Sequence, residues 1–224
     1  MGDPFVHLRV ASGYSLQYGA SHPSALVAAA AGHEMDTLGL TDRDGLYGAV
    51  RFAKACLAGG VAPVIGADLA VEPAPGRGAS AGAGPPASRA VVLAESRRGW
   101  ASLCRLVSAT HARGERGRPV TTKALVGASR DDVVVVLGAD SDLGAAIADA
   151  DEPRARRVLA SWLDVLDAHQ LVVGVTNHQL AGSGPGSARL AGRMLAFADS
   201  RGLVGVLPNA ARMAKRSDAP VADV

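Results

Sequence analysis

Short unbroken runs of aliphatic and β-branched residues recur along the chain, over residues 5–10, 37–41, 61–65, 90–94, 133–137, 171–176 and 203–207. A run without polar alternation is what a strand covered on both faces requires. Between these runs, apolar residues return at helical spacing over 24–31, 48–58, 99–109, 143–150, 154–169 and 187–201. The fifth helix gathers Val158, Leu159, Trp162, Leu163, Val165 and Leu166 on one face, and the sixth gathers Leu190, Met194, Leu195 and Phe197. Helix punctuation agrees with this pattern. Pro23 suits a first turn, Ser96 a cap, and Gly32, the Gly59–Gly60 pair and Gly202 suit stops. Seven strands alternating with helices predict an α/β domain with a parallel sheet, either closed into a barrel or open and doubly wound. In both architectures functional groups collect at the C-terminal ends of strands.

The chain of 224 residues is long enough for one such domain, since α/β barrels run to about 200–250 residues. A single domain over 1–224 is therefore expected. Residues 73–88 are rich in Pro, Gly, Ala and Ser and nearly lack large apolar groups, which predicts a flexible surface loop within the domain. Residues 113–119, with arginines among glycines, and 182–186 read as further loops; the first suits solvation or, alternatively, phosphate contact.

Aromatic residues make up only 4% of the chain, so the core is aliphatic, with Trp100 and Trp162 as core or interface anchors. The formal charge of +2 is near balance and contains no basic block of the kind that grips DNA alone. Cys56 and Cys104 lack paired spacing, which suits buried thiols in a reducing compartment. The N-terminus has no charged-then-apolar leader, and no apolar run reaches the ~18 residues that span a bilayer. A cytoplasmic protein without membrane contact is expected.

His7 and Arg9 alternate on the first predicted strand and share a face. The second strand ends in Asp42, Arg43 and Asp44, and the third leads to Asp68. These groups are expected at one mouth of the sheet. His178 follows the sixth strand, either near that mouth or on a surface loop, while His22, His33, His111 and His169 fall at helix ends or in loops. Ser12 and Ser15 with His7 make no credible triad, because no nucleophile-elbow sequence is present. The glycines of 182–186 do not open a helix as a dinucleotide turn does.

Three segments carry a family resemblance: residues 5–16 (FVHLRVASGYSL), residues 40–52 (LTDRDGLYGAVRF) and residues 63–68 (PVIGAD). Residues 92–108 and 208–213 are similar as well. Together they resemble the PHP (polymerase and histidinol phosphatase) domain of bacterial C-family DNA polymerases, and most nearly the error-prone branch of the DNA polymerase III alpha subunit. The resemblance implies a distorted seven-stranded (βα)7 barrel. It also implies divalent metals, zinc or manganese, held by histidines and carboxylates, and phosphoester hydrolysis that in some members is 3′–5′ exonucleolytic.

At the positions where the family pattern has ligands, this chain differs. The opening His-x-His reads His7-Leu8-Arg9, and an expected aspartate falls at Tyr18. Thr-Asp-His becomes Thr41-Asp42-Arg43, the expected glutamate is Asp68, a further histidine aligns with Arg89, and the closing Asp-x-His falls at Ala210 and Arg212. A guanidinium has no lone pair to offer a metal and stays protonated. The expectation is therefore a vestigial site in which Arg9 and Arg43 pair with Asp42, Asp44 and Asp68, no bound metal, and a role as scaffold and docking module. The partners implied are a polymerase body, other replication or repair proteins, and DNA indirectly. Two alternatives remain: a residual phosphoesterase or exonuclease using His7, Asp42, Asp68 and His178, or an anion module built from Arg9, Arg43, Arg89 and Arg212. The final residues, 218–224, read as the start of a connection to the polymerase body.

Overall fold

The computed structural model describes residues 5–72, 88–115 and 117–222. Its main sheet holds β1 (Thr37–Arg43), β2 (Ala62–Val71), β3 (Ser88–Ala94), β4 (Val133–Leu137), β5 (Leu171–Gly174) and β8 (Val204–Val206) in that spatial order. A separate pair, β6 (Asn177–Leu180) and β7 (Gly186–Ser187), stands apart from it. The helices are α1 (Pro23–Gly32), α2 (Ala49–Gly59), α3 (Arg97–Arg113), α4 (Lys123–Ala128), α5 (Asp142–Ala148), α6 (Glu152–Leu163), α7 (Ala188–Ser200) and the short α8 (Ala219–Ala222).

Two expectations about the sheet are corrected. β3 runs antiparallel to both β2 and β4, so the sheet is parallel-rich rather than parallel. Residues 5–10 form no regular strand. They lie between β1 and residues 208–211, held by single bridges from His7 to Leu38 and from Val10 to Ala211. Arg9 N donates to Pro208 O, Ala211 N to Arg9 O, and Gly39 N to His7 O. Asn209 and Ala210 both have positive φ, so the backbone there is not extended. The segment nonetheless bonds to β1 on one side and to residues 208–211, just after β8, on the other.

Side chains sort by pleat parity. Val91, Leu93 and Val136 pack with Leu8, Val64, Val172 and Val206, nearly one residue from each strand of the main sheet and from residues 5–10. The opposite faces of β2–β5 pack with α3–α7 in the largest core, centred on Leu103, Leu106, Leu143, Trp162, Leu190 and Met194. A second outer core joins Leu38 and Leu40 to Phe52 and Cys56 of α2.

Helix ends follow the capping chemistry. Ser96 accepts from Arg98 N and Gly99 N at the start of α3, and Gly60 closes α2 at φ 69°. His22 caps α1 and His33 closes it, His111 lies in the last turn of α3, and His169 in a 3-10 turn. The predicted helix over 154–169 stops at Leu163, where Asp164 takes the cap and a turn leads to β5. Sequence periodicity did not reveal α4, a six-residue helix capped by Thr122. Ser88 belongs to β3, and the rest of the expected 73–88 loop lies outside the described residues, as does Arg116 of 113–119. Among the described residues no helix is long and apolar enough to cross a membrane.

Candidate functional site

Strand register decides which side chains meet. Arg43 of β1 stands opposite Asp68 of β2, and Asp42 opposite Ala67. Because the pleat alternates, Arg43 and Asp68 share one face and Asp42 points to the other. Asp42 is accordingly 1% exposed and enclosed by the 12–15 turn. Ser12 N donates to its Oδ1 at 2.8 Å, Ser12 Oγ at 2.9 Å and Ser15 Oγ at 2.8 Å. Ser15 Oγ also accepts from Arg43 N at 2.9 Å, so this cluster pins the end of β1. Gly48 is required beside it, since a Cβ there would strike Asp42 Oδ2.

Asp68 is the centre of the other face and is also 1% exposed. Arg9 Nη2 donates to its Oδ2 at 2.8 Å, and Arg89 Nε to its Oδ1 at 2.7 Å. Each arginine then reaches a further carboxylate. Arg9 makes a two-pronged contact with Asp140, with Nη1 to Oδ1 at 3.0 Å and Nη2 to Oδ2. Arg89 Nη2 reaches Asp44 Oδ1 at 3.1 Å and also Asp68 O. Asp44 sits at φ 53°, a left-handed turn that aspartate tolerates, and its N–H donates to Asp68 O at 2.8 Å. His111 Nε2 lies 2.6 Å from Asp44 O and ties α3 to the same corner.

The electrostatics follow from this packing. Burial alone would raise the Asp68 carboxyl, but Arg9 and Arg89 outweigh it and hold the group below the ordinary carboxylate range. Burial opposes the charge on both arginines, yet Asp68 with Asp140 for Arg9, and with Asp44 for Arg89, holds each firmly protonated. Between them lies a cavity of about 10 Å³, lined by Arg9, Arg89, Asp140, Thr176 and Pro208, with room for about one water.

The remaining predicted groups form two further clusters. His7 Nδ1 lies 3.1 Å from Asn209 Nδ2, and His178 Nε2 lies 3.0 Å from Asn209 O. Burial, with His33 as a lesser cause, keeps the His7 imidazole below its ordinary value. The guanidinium carbon of Arg43 sits over Tyr18, 3.3 Å from the ring centre, and that of Arg212 lies 5.1 Å from the same ring centre. The expected pairing of Arg9 and Arg43 with Asp42, Asp44 and Asp68 is thus redistributed. Arg9 and Arg89 share Asp68, while Arg43 and Asp42 are parted by the pleat. Asp140 and Asn209 were missed. Asp140 had a signal, because it closes the Gly-Ala-Asp turn after β4, at the kind of strand end where Asp44 also lies. Asn209 had none beyond lying after β8.

Among the described residues, no group of three or more His, Cys, Asp or Glu side chains is disposed to hold a metal ion.

Comparison with known proteins gives the family context. The PHP domain family matches residues 7–178. The error-prone DNA polymerase of Mycolicibacterium paratuberculosis is 35% identical over 178 residues, covering 78% of this chain and 16% of that protein. That of Anaeromyxobacter dehalogenans is 35% identical over 204 residues, covering 85% of this chain and 16% of its own length. The chain thus spans only a small part of these curated relatives. Among solved structures, an amidohydrolase from Chromobacterium violaceum, described with bound sulfate and no metal, aligns with a TM-score of 0.59 at 14% identity, covering 95% of this chain and 89% of that one. A Bifidobacterium adolescentis structure described as a metal-dependent phosphoesterase aligns with a TM-score of 0.58 at 12% identity, covering 94% and 89%. At these identities the two structures speak to the fold alone.

Proposed function

The chain belongs to the PHP domain family, and from that premise we propose that it is a non-catalytic PHP domain of an error-prone C-family DNA polymerase. Its role in this reading is to serve as scaffold and docking module for the polymerase body, touching DNA only indirectly and working in the cytoplasm. The observation that carries the reading is the state of Asp68, whose two oxygens are each taken by a guanidinium. Arg9, Arg43 and Arg89 stand where the family pattern has histidines.

Zinc and manganese need carboxylates or neutral imidazoles as donors, and an adjacent guanidinium supplies only repulsion. The residues present do not fit a metal cluster. Asp42 is enclosed by serine hydroxyls, and His7 and His178 bond to Asn209 rather than to any of the carboxylates. The arginines take over the charge that metals would bring, and they do so as charge-assisted and, at Asp140, bidentate pairs. Two guanidiniums set against Asp44, Asp68 and Asp140 leave the mouth nearly compensated.

The test is hydrolysis of p-nitrophenyl phosphate and of 3′-labelled single-stranded DNA in added manganese. No rate above the protein-free control is expected. A manganese-dependent rate abolished by His7→Ala would overturn the proposal and leave a residual phosphoesterase in its place.

A further inference from the structure

α2 is apolar on two faces. Its inner side seats Phe52 and Cys56, both fully buried, against Leu26 and Val27 of α1 and against Leu38 and Leu40 of β1. On its outer side Val50 is 63% exposed and Leu57 79%, and Tyr47, in the turn that enters the helix, is 62% exposed. Single exposed apolar side chains are ordinary on any surface, but Val50 and Leu57 fall in register with Lys54 between them. Positions i, i+4 and i+7 lie in one row along a helix, the spacing of the seam between two packed helices. The aliphatic stem of Lys54 carries the apolar row across its middle.

The charge of this layer has one sign. α1 and α2 contain no Asp or Glu, and their only charged side chains are Arg51 and Lys54. Both are exposed, and neither has an ion pair among the described residues. Elsewhere in the outer shell exposed arginines do have partners, as Arg98 of α3 has Asp132 and Arg156 of α6 has Glu152.

We propose that the outward face of α2 is a docking surface for an acidic amphipathic helix of a partner protein. Val50 and Leu57 pack into the apolar side of that helix, and Arg51 and Lys54 face its carboxylates. The inference rests on the docking part of the reading above and gives it a surface and a partner chemistry. The chain spans 16% of the length of each of the two curated relatives compared, which leaves most of each as protein able to supply such a helix. A second copy of this chain is a poorer occupant, since two-fold pairing would set Arg51 and Lys54 against their own counterparts. Nucleic acid and an anionic bilayer call for more cations than these two, and aliphatic side chains do not stack bases.

The experiment titrates the whole chain against two fluorescein-labelled synthetic helices of about three heptads. Both carry leucine along one face, flanked by glutamate in one and by lysine in the other. Wild type is expected to bind the glutamate-flanked helix ~10-fold tighter than the lysine-flanked one. Leu57→Asp, at a position too exposed to matter for folding, is expected to weaken that binding ~10-fold. Lys54→Glu is expected to weaken it ~3-fold and to narrow the preference between the two helices. Leu180→Asp, at an exposed apolar position of β6, is the control and is expected to bind as wild type does. Wild type that binds neither helix, or both alike, overturns the surface, as does Leu57→Asp that binds as tightly as wild type. Oligo-dT, phosphatidylglycerol vesicles and self-association followed by sedimentation test the other occupants. If one of these is bound more tightly than the glutamate-flanked helix and is lost in Leu57→Asp, the partner helix is overturned in its favour. Failure of helix binding with no manganese-dependent hydrolysis overturns this inference alone, and hydrolysis with helix binding intact overturns the non-catalytic reading alone.

Discussion

Among single residues, Asp68 is the centre of the mouth, a carboxylate that burial alone would neutralise and that Arg9 and Arg89 keep charged. Removing one partner strands charge in a dry site. Arg9→Ala is expected to cost about 3 kcal/mol in urea unfolding, in line with broken buried pairs. Asp140, whose side chain is 37% exposed, is a control on the same arginine, and Asp140→Asn is expected to cost under ~1 kcal/mol. Equal losses from the two substitutions would show that Asp68 is not the anchor. The pH dependence has a definite sign. The folded pKa of Asp68 lies below its unfolded value, so its contribution is complete above about pH 4 and drains away as pH falls through the folded value. The slope of stability against pH below about 4 is therefore expected to be shallower in Asp68→Asn than in wild type. Parallel curves would contradict the assignment.

Among the elements, the outer shell has its own polar tie. Lys123 Nζ at the start of α4 lies 2.7 Å from Asp142 Oδ2 of α5 and 2.6 Å from Ser161 Oγ of α6, and 4.9 Å from the centre of the Trp162 ring. Trp162 Nε1 donates to the other Asp142 oxygen at 3.1 Å. Lys123→Ala thus unpairs a buried carboxylate and is expected to cost about 3 kcal/mol. Arg156→Ala, at an exposed pair within α6, is expected to cost under ~0.5 kcal/mol. Similar losses would mean that α4 is not locked by this contact. The elements also show where sequence reading stops. Six of the seven apolar runs became strands of the sheet, because continuous Val and Leu runs such as 133–137 are specific for strands covered on both faces. The direction of β3 was not legible, since an apolar run carries no sign of its sense. Nor was the fate of residues 5–10, whose backbone partners are Pro208 and Ala211, with Asn209 and Ala210 at positive φ between them. Asp42 and Arg43 are neighbours at one strand end, so the pleat turns them to opposite faces, and only the pairing of β1 with β2 reveals that Arg43 is the one that shares a face with Asp68. Tyr18 was legible as a position of the site, whereas its use as a platform for Arg43 depends on how the 12–18 turn folds.

For the molecule as described, residues 7–11 lie between β1 and residues 208–211 without forming a seventh regular strand, and that same segment delivers Arg9 to Asp68. Docking of the segment against β1 and residues 208–211 goes with burial of Val10 on its outer side and with the seat of Arg9 against Asp68 in the mouth. The chain belongs to the PHP domain family, and under the function proposed above guanidiniums take the place of ligand imidazoles in its mouth. The most direct measurement of that claim is elemental analysis of the protein purified without chelator and re-equilibrated with equimolar zinc and manganese. Well below one metal ion per chain is expected after gel filtration, with no change on Asp68→Asn. A stoichiometric ion that is lost in His7→Ala or Asp68→Asn would contradict it, because the mouth would then be a metal site in spite of its arginines.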